Sequence, residues 1–97
     1  MLPSKVNICG IPHTVELCDD NFDIDLHFGQ IKYGKALIRI NSNVTEELQM
    51  QALYHEMLHG ILVHIGRVEE SQDEQLVQAL ANAMYQSFEL RRDVDDA

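Results

Sequence analysis

The sequence predicts an α+β domain: a small, mainly antiparallel β-sheet packed on two or three helices. Two observations carry this. Between Lys5 and Ile40, short runs alternate apolar and polar side chains and are separated by turn-forming residues, the pattern of half-buried strands. From Thr45 onward the apolar residues recur at three-to-four spacing instead, the period of amphipathic helices. The 97 residues suffice for one domain, 1–97, with a single modest core.

Lys5–Cys9 and Pro12–Cys18 read as a β-hairpin whose Val6, Ile8, Val15 and Leu17 share a buried face, with Gly10-Ile11 as the turn. On that pairing Cys9 and Cys18 stand several residue pairs apart, too far for a disulfide, so both are expected as free thiols. Asp19–Asp23 is an acidic, turn-rich connection. Ile24, Leu26 and Phe28 then alternate as a further strand, with His27 on its polar side and Gly29 interrupting or bulging it. Gln30–Tyr33 and Ala36–Ile40 flank Gly34-Lys35, which predicts a second hairpin with a tight turn.

Asn41-Ser42-Asn43 ends the sheet, and Asn43 with Glu46 three residues on predicts the start of a helix. That helix runs to a stop at Gly66, with Leu48, Ala52, His55, His59 and Leu62 on its inward stripe. Arg67–Gln72 is a polar connection, and a further helix from about Asp73 turns Leu76, Val77, Leu80, Ala81, Met84 and Phe88 inward. The end, 91–97, has almost no apolar content and is expected to fray.

Charge and composition exclude several classes of partner. The formal net charge is −9, with seven Lys and Arg, which argues against RNA or DNA because phosphate binding needs clustered cations. No run is long enough to span a membrane and the N-terminus lacks an apolar signal core, so a cytoplasmic protein is expected. Nothing in the sequence sets an oligomeric state.

The chemistry concentrates in His55-Glu56-Met57-Leu58-His59, an H-E-x-x-H motif. On a helix the two histidines lie one turn apart on one face, where two imidazoles close on one metal ion. Glu56 points to the flank of the pair, within reach of a water at the metal, as a general base. Two histidines and a carboxylate inside a core would need partners for three buried polar groups, which favours ligands over packing.

A catalytic zinc site takes three protein ligands, and four residues compete for the third position. His64 lies five residues beyond His59 and rotates off the motif face; in the H-E-x-x-H-x-x-G-x-x-H pattern the third histidine would fall at Ile65. Glu70, Asp73 and Glu74 lie in or just before the next helix, which folds back on the first and can bring a carboxylate to the metal. Glu74 borders that helix's buried face, though an acid in a first turn also complements the helix dipole.

Residues from about Gly29 to Tyr85 resemble the ImmA/IrrE family of zincin-type metallopeptidases, in particular its very small phage and prophage versions. The likeness rests on Ile38-Arg39-Ile40-Asn41, on the His55–His59 motif helix, and on a following helix with Glu74 and Ala81-Asn82. It implies a zincin-like fold, zinc held by His55, His59 and Glu74, and Glu56 as catalytic base. The implied activity is hydrolysis of peptide bonds; the small acidic surface without a basic patch points to a specific protein partner, such as a phage or host regulator, as substrate. Substrate is expected to add as a strand beside Leu37–Ile40, and Tyr33, Tyr54 and His27 are candidates for stabilising the oxyanion. Two rivals stand beside this reading: a metal-dependent ribonuclease of the YbeY type using His55, His59 and His64, and a metal-containing module that binds a protein without turnover.

Overall fold

The computed structural model describes residues 2–19 and 28–89. The expected strand residues Ile24 and Leu26, His27, most of the acidic connection and the 91–97 tail lie outside them. The domain is α+β, with four strands and three α-helices among the described residues.

Strands β1 (Lys5–Ile8) and β2 (Ile11–Cys18) form the first hairpin, pairing Val6 with His13 and Ile8 with Ile11. The turn is therefore Cys9-Gly10, one residue earlier than the sequence predicts, and both residues take positive φ, 52° and 83°. That is the backbone a two-residue hairpin demands, because its twist matches that of the flanking strands. Both cysteines are free, as expected.

Strands β3 (Gly29–Lys32) and β4 (Leu37–Asn41) make the second hairpin. Its connection is longer than Gly34-Lys35 alone: Tyr33–Lys35 form a 3-10 turn and Ala36 takes the left-handed position at φ 48°. Gly29 opens β3 opposite Ile40. The sheet order is β1-β2-β4-β3, and β4 runs parallel to β2 while both hairpin pairings are antiparallel. So β4 is an interior strand, and the expectation that Leu37–Ile40 offers a free edge is wrong.

Helix α1 (Glu46–His64) starts at Thr45, whose hydroxyl accepts from the Leu48 N–H at 3.2 Å. Asn43 does not cap it; the Asn43 N–H donates to Asn41 Oδ1 instead. Gly66, at φ 86°, ends the helix: its N–H reaches the Val63 carbonyl and the Arg67 N–H reaches that of Leu62, a closure that needs the left-handed conformation glycine adopts freely. A one-turn helix, α2 (Val68–Ser71), leads to α3 (Glu74–Ser87), which Asp73 caps by accepting from the Leu76 N–H at 3.1 Å.

The inward stripe predicted for α1 is too narrow. Ala52, Leu53 and Met57 pack with Val6, Ile8, Ile38 and Ile40 of the sheet, while Leu58 and Leu62 pack with Val77 and Met84 of α3. A helix covered on two sides reads as apolar around much of its circumference, which blurs a single stripe. On the sheet, His13 and not Leu17 fills the buried position of β2: His13 is 1 % exposed and Leu17 54 %. On α3, Val77 and Ala81 are buried whereas Leu80 and Phe88 are 39 % and 64 % exposed. Phe88 contributes its carbonyl, which accepts from the Tyr54 hydroxyl at 3.0 Å. Among the described residues no helix is long and apolar enough to cross a membrane.

The Cys9-Gly10 turn gives a direct check on the register. Asn favours the left-handed conformation more than Cys does, so Cys9→Asn should stabilise the domain by about 0.5 kcal/mol in urea unfolding. A loss of stability would mean that Cys9 does not occupy that position.

Candidate metal centre

The packing of α1 between sheet and α3 leaves the motif histidines on a flank of the helix that lines a cleft of about 740 Å³. One wall is β3 with Tyr33, the other the start of α3, and the floor is α1. His55 and His59 are half-buried there, and Glu74 reaches in from the first turn of α3 with most of its side chain exposed.

Three candidate ligand groups converge. His55 Nε2 is 3.0 Å from Glu74 Oε1, His59 Nε2 is 3.3 Å from Glu74 Oε2, and the two Nε2 atoms are 3.2 Å apart. A tetrahedral ion with bonds of about 2.0–2.1 Å has ligand–ligand edges of roughly 3.3–3.4 Å, close to these separations. Without an ion, protonated rings can pair with the two oxygens of Glu74; with both Nε2 lone pairs free, the same three groups fit a metal ion, and the cluster could hold one.

The other candidates for the third position are engaged elsewhere. Asp73 caps α3, and Glu70 pairs with Arg67 at 2.8 Å. His64 packs edge-on against the buried His13 with ring centroids 6.1 Å apart. The three-histidine arrangement of the ribonuclease rival is therefore not assembled. His13 Nδ1 lies 2.8 Å from the Ile11 carbonyl, and its buried Nε2 has no hydrogen-bond partner among the described residues.

Glu56 lines the same cleft but is 8 % exposed, tucked beneath the histidines against β3. A Cβ on Gly29 would stand 3.3 Å from Glu56 Cγ and 3.2 Å from the Arg39 carbonyl, so the missing side chain at Gly29 is what lets the carboxyl sit there. Burial, reinforced by the nearby negative charge of Glu74, pushes the Glu56 carboxyl up to about 7. The Tyr33 phenol is raised by burial and by the charges of Glu56 and Glu74, which places it in the field of the site. Tyr54 is in the core, edge-on to Tyr85, and is a packing residue. Gln78, which contacts His55, was missed by the sequence reading; its signal is the four-residue step from Glu74.

No protein-family model, no curated protein and no solved structure matches the chain significantly. The site thus stands on its geometry and motif.

Two measurements follow from the geometry. Glu74→Gln should weaken zinc binding, whereas Asp73→Ala should cost about 1 kcal/mol of stability through the lost cap and leave the affinity of the folded protein unchanged; the reverse ranking in chelator-competition titrations would move the third ligand to Asp73. In the metal-free protein, a Glu56 carboxyl lifted from 4.5 to about 7 stabilises the fold while protonated. That contribution is fully present below the unfolded value and is lost as pH rises through the folded one. Glu56→Gln, which stays neutral, should therefore match wild type near pH 4.5 and exceed it near pH 8 by on the order of 3 kcal/mol. Urea unfolding with chelator present checks this, and a difference that does not change with pH would contradict it.

Proposed function

We propose that the domain is a zinc-dependent peptidase that cleaves an extended segment of a specific protein partner. The observation that carries the proposal is the placement of Glu56: a buried carboxyl beside three converging ligand groups, in a cleft whose wall is β3, an edge strand among the described residues. Two imidazoles and a carboxylate are a donor set suited to zinc, with room left for water and substrate. Zinc bound there would supply a Lewis acid for the scissile carbonyl and make a nearby water more acidic.

The chain's own residues divide the remaining work. Glu56 accepts the proton of the attacking water on its carboxylate and returns it to the leaving amine nitrogen. Its raised proton affinity suits a group that must both take and give a proton near neutrality, and a bound dication would draw that affinity down. Tyr33 stands at the end of β3 with its phenol directed to the same region, the better placed of the two described oxyanion candidates.

Substrate adds at β3 and not at β4. The Phe28 carbonyl accepts from the Asn41 N–H, and the alternation of an antiparallel ladder then turns the N–H and C=O of Gly29 and Ile31 away from β4. No described strand covers that outer edge. An extended peptide bonded there would run past His55, Glu56 and His59. With a net charge of −9, the domain favours a partner presenting a neutral or basic extended segment over generic peptides.

Glu56→Gln should retain zinc binding within a few-fold yet lose turnover by at least about 100-fold, since an amide keeps the shape but cannot accept the proton. Casein-type substrates should be cut slowly by wild type. Rapid unselective digestion that disappears in Glu56→Gln would point to a general protease. Equal binding and equal effect on a protein partner in both forms would identify a non-catalytic module instead.

A further inference from the structure

Helix α3 presents a stripe beyond Glu74 that the peptidase reading leaves unused. Gln78 and Asn82 follow Glu74 at four-residue steps, one turn apart on one face. His55 Nδ1 lies 2.8 Å from Gln78 Oε1, and Gln78 Nε2 donates to Asn82 Oδ1 at 3.0 Å. The second bond sets the sense of the first. With its amide nitrogen turned to Asn82, Gln78 can offer His55 only its carbonyl oxygen, which accepts and cannot donate. The Nδ1–H tautomer is thus the one Gln78 can pair with, and it leaves the Nε2 lone pair toward Glu74 and His59.

We propose that Gln78, held by Asn82, is a positioning residue that fixes the tautomer and orientation of His55 for metal binding without adding charge. The inference rests on the metal reading above, because that reading is what requires a bare Nε2. Metal-bound histidines commonly donate their other N–H to a carboxylate or carbonyl. Here the acceptor is a neutral amide, and the charges in the cleft give a reason. Glu56 and Glu74 already bring two carboxylates, enough to balance a dication; a third at position 78 would leave the cleft with uncompensated negative charge beside Glu56. Gln78 and Asn82 are both exposed, so water competes for His55 Nδ1. What the amide adds is a fixed acceptor on a rigid helix, whereas water leaves the ring free to turn and to exchange tautomers.

The test compares the full chain with Gln78→Leu, Gln78→Glu and Asn82→Ala, using chelator competition for zinc affinity and nitrogen NMR of the histidine rings in the zinc-free protein. The expected result is a larger Nδ1–H fraction for His55 in wild type than in Gln78→Leu, and a Gln78→Leu variant that binds zinc about 10–100-fold more weakly. Asn82→Ala should shift both in the same direction by less, and Gln78→Glu should bind zinc at least as tightly as wild type. The zinc-free melting temperatures of wild type and Gln78→Leu should agree. Unchanged affinity and tautomer in Gln78→Leu would overturn the positioning role and leave the metal centre standing. A fall in affinity matched by a fall in zinc-free melting temperature, and not restored by Gln78→Glu, would show a merely structural role and also overturn it. A wild type that binds no zinc would overturn the metal reading, and this inference with it.

Discussion

The contact between α1 and α3 decides which carboxylate meets the motif histidines. H-E-x-x-H on an isolated helix offers two imidazoles to solvent, and only a second helix docked alongside brings a carboxylate to within 3.0–3.3 Å of both. Leu58, Leu62, Val77 and Met84 form the apolar seam that holds the pair. The Asp73 cap fixes where α3 begins, and hence which acidic residue falls in its first turn. Burial of the seam thus supports the convergence of three polar groups that could hold a cation.

The sheet contributes the other half of the arrangement. Ala52, Leu53 and Met57 tie α1 to Ile38 and Ile40, and the same surface of the helix carries Glu56 under the cleft. Absence of a side chain is used twice along this interface. A Cβ on Gly29 would press on Glu56, and one on Gly60 would stand 3.0 Å from Ile8 Cδ1 and 3.1 Å from Ile31 Cδ1. Close approach of helix and strand is what buries Glu56 deeply enough to raise its proton affinity, while His55 just before it and His59 three residues on stay half-open to the cleft. Structure and reactivity share a cause here.

What could be read from the sequence was what depends on local spacing. The hairpins, the motif helix, its stop at Gly66 and the pairing of His55 with His59 all follow from residues a few positions apart, and each is present in the fold. Choices that depend on docking were not legible. Glu70, Asp73 and Glu74 differ only in how α3 sits on α1, so spacing alone leaves them level; the family resemblance favoured Glu74, and the structure brings that residue to the histidines. The place of β4 inside the sheet depends on its parallel pairing with β2, a contact between residues more than twenty positions apart that no local pattern records. His13 was invisible for a related reason: a histidine in a strand reads as polar, yet this one is buried beside His64. The two turns shifted because left-handed backbone was taken up by Cys9 and Ala36, residue types that do not advertise it.

The account comes down to whether one metal ion sits among His55, His59 and Glu74. X-ray absorption at the zinc edge on protein loaded with one equivalent of zinc tests it most directly, because it reports ligand type, distance and number together. The prediction is a four-coordinate site with nitrogen and oxygen ligands at about 2.0–2.1 Å, two of them showing imidazole scattering. Sulfur scattering at about 2.3 Å, which would implicate Cys9 or Cys18, or a six-coordinate oxygen shell without imidazole, would contradict it.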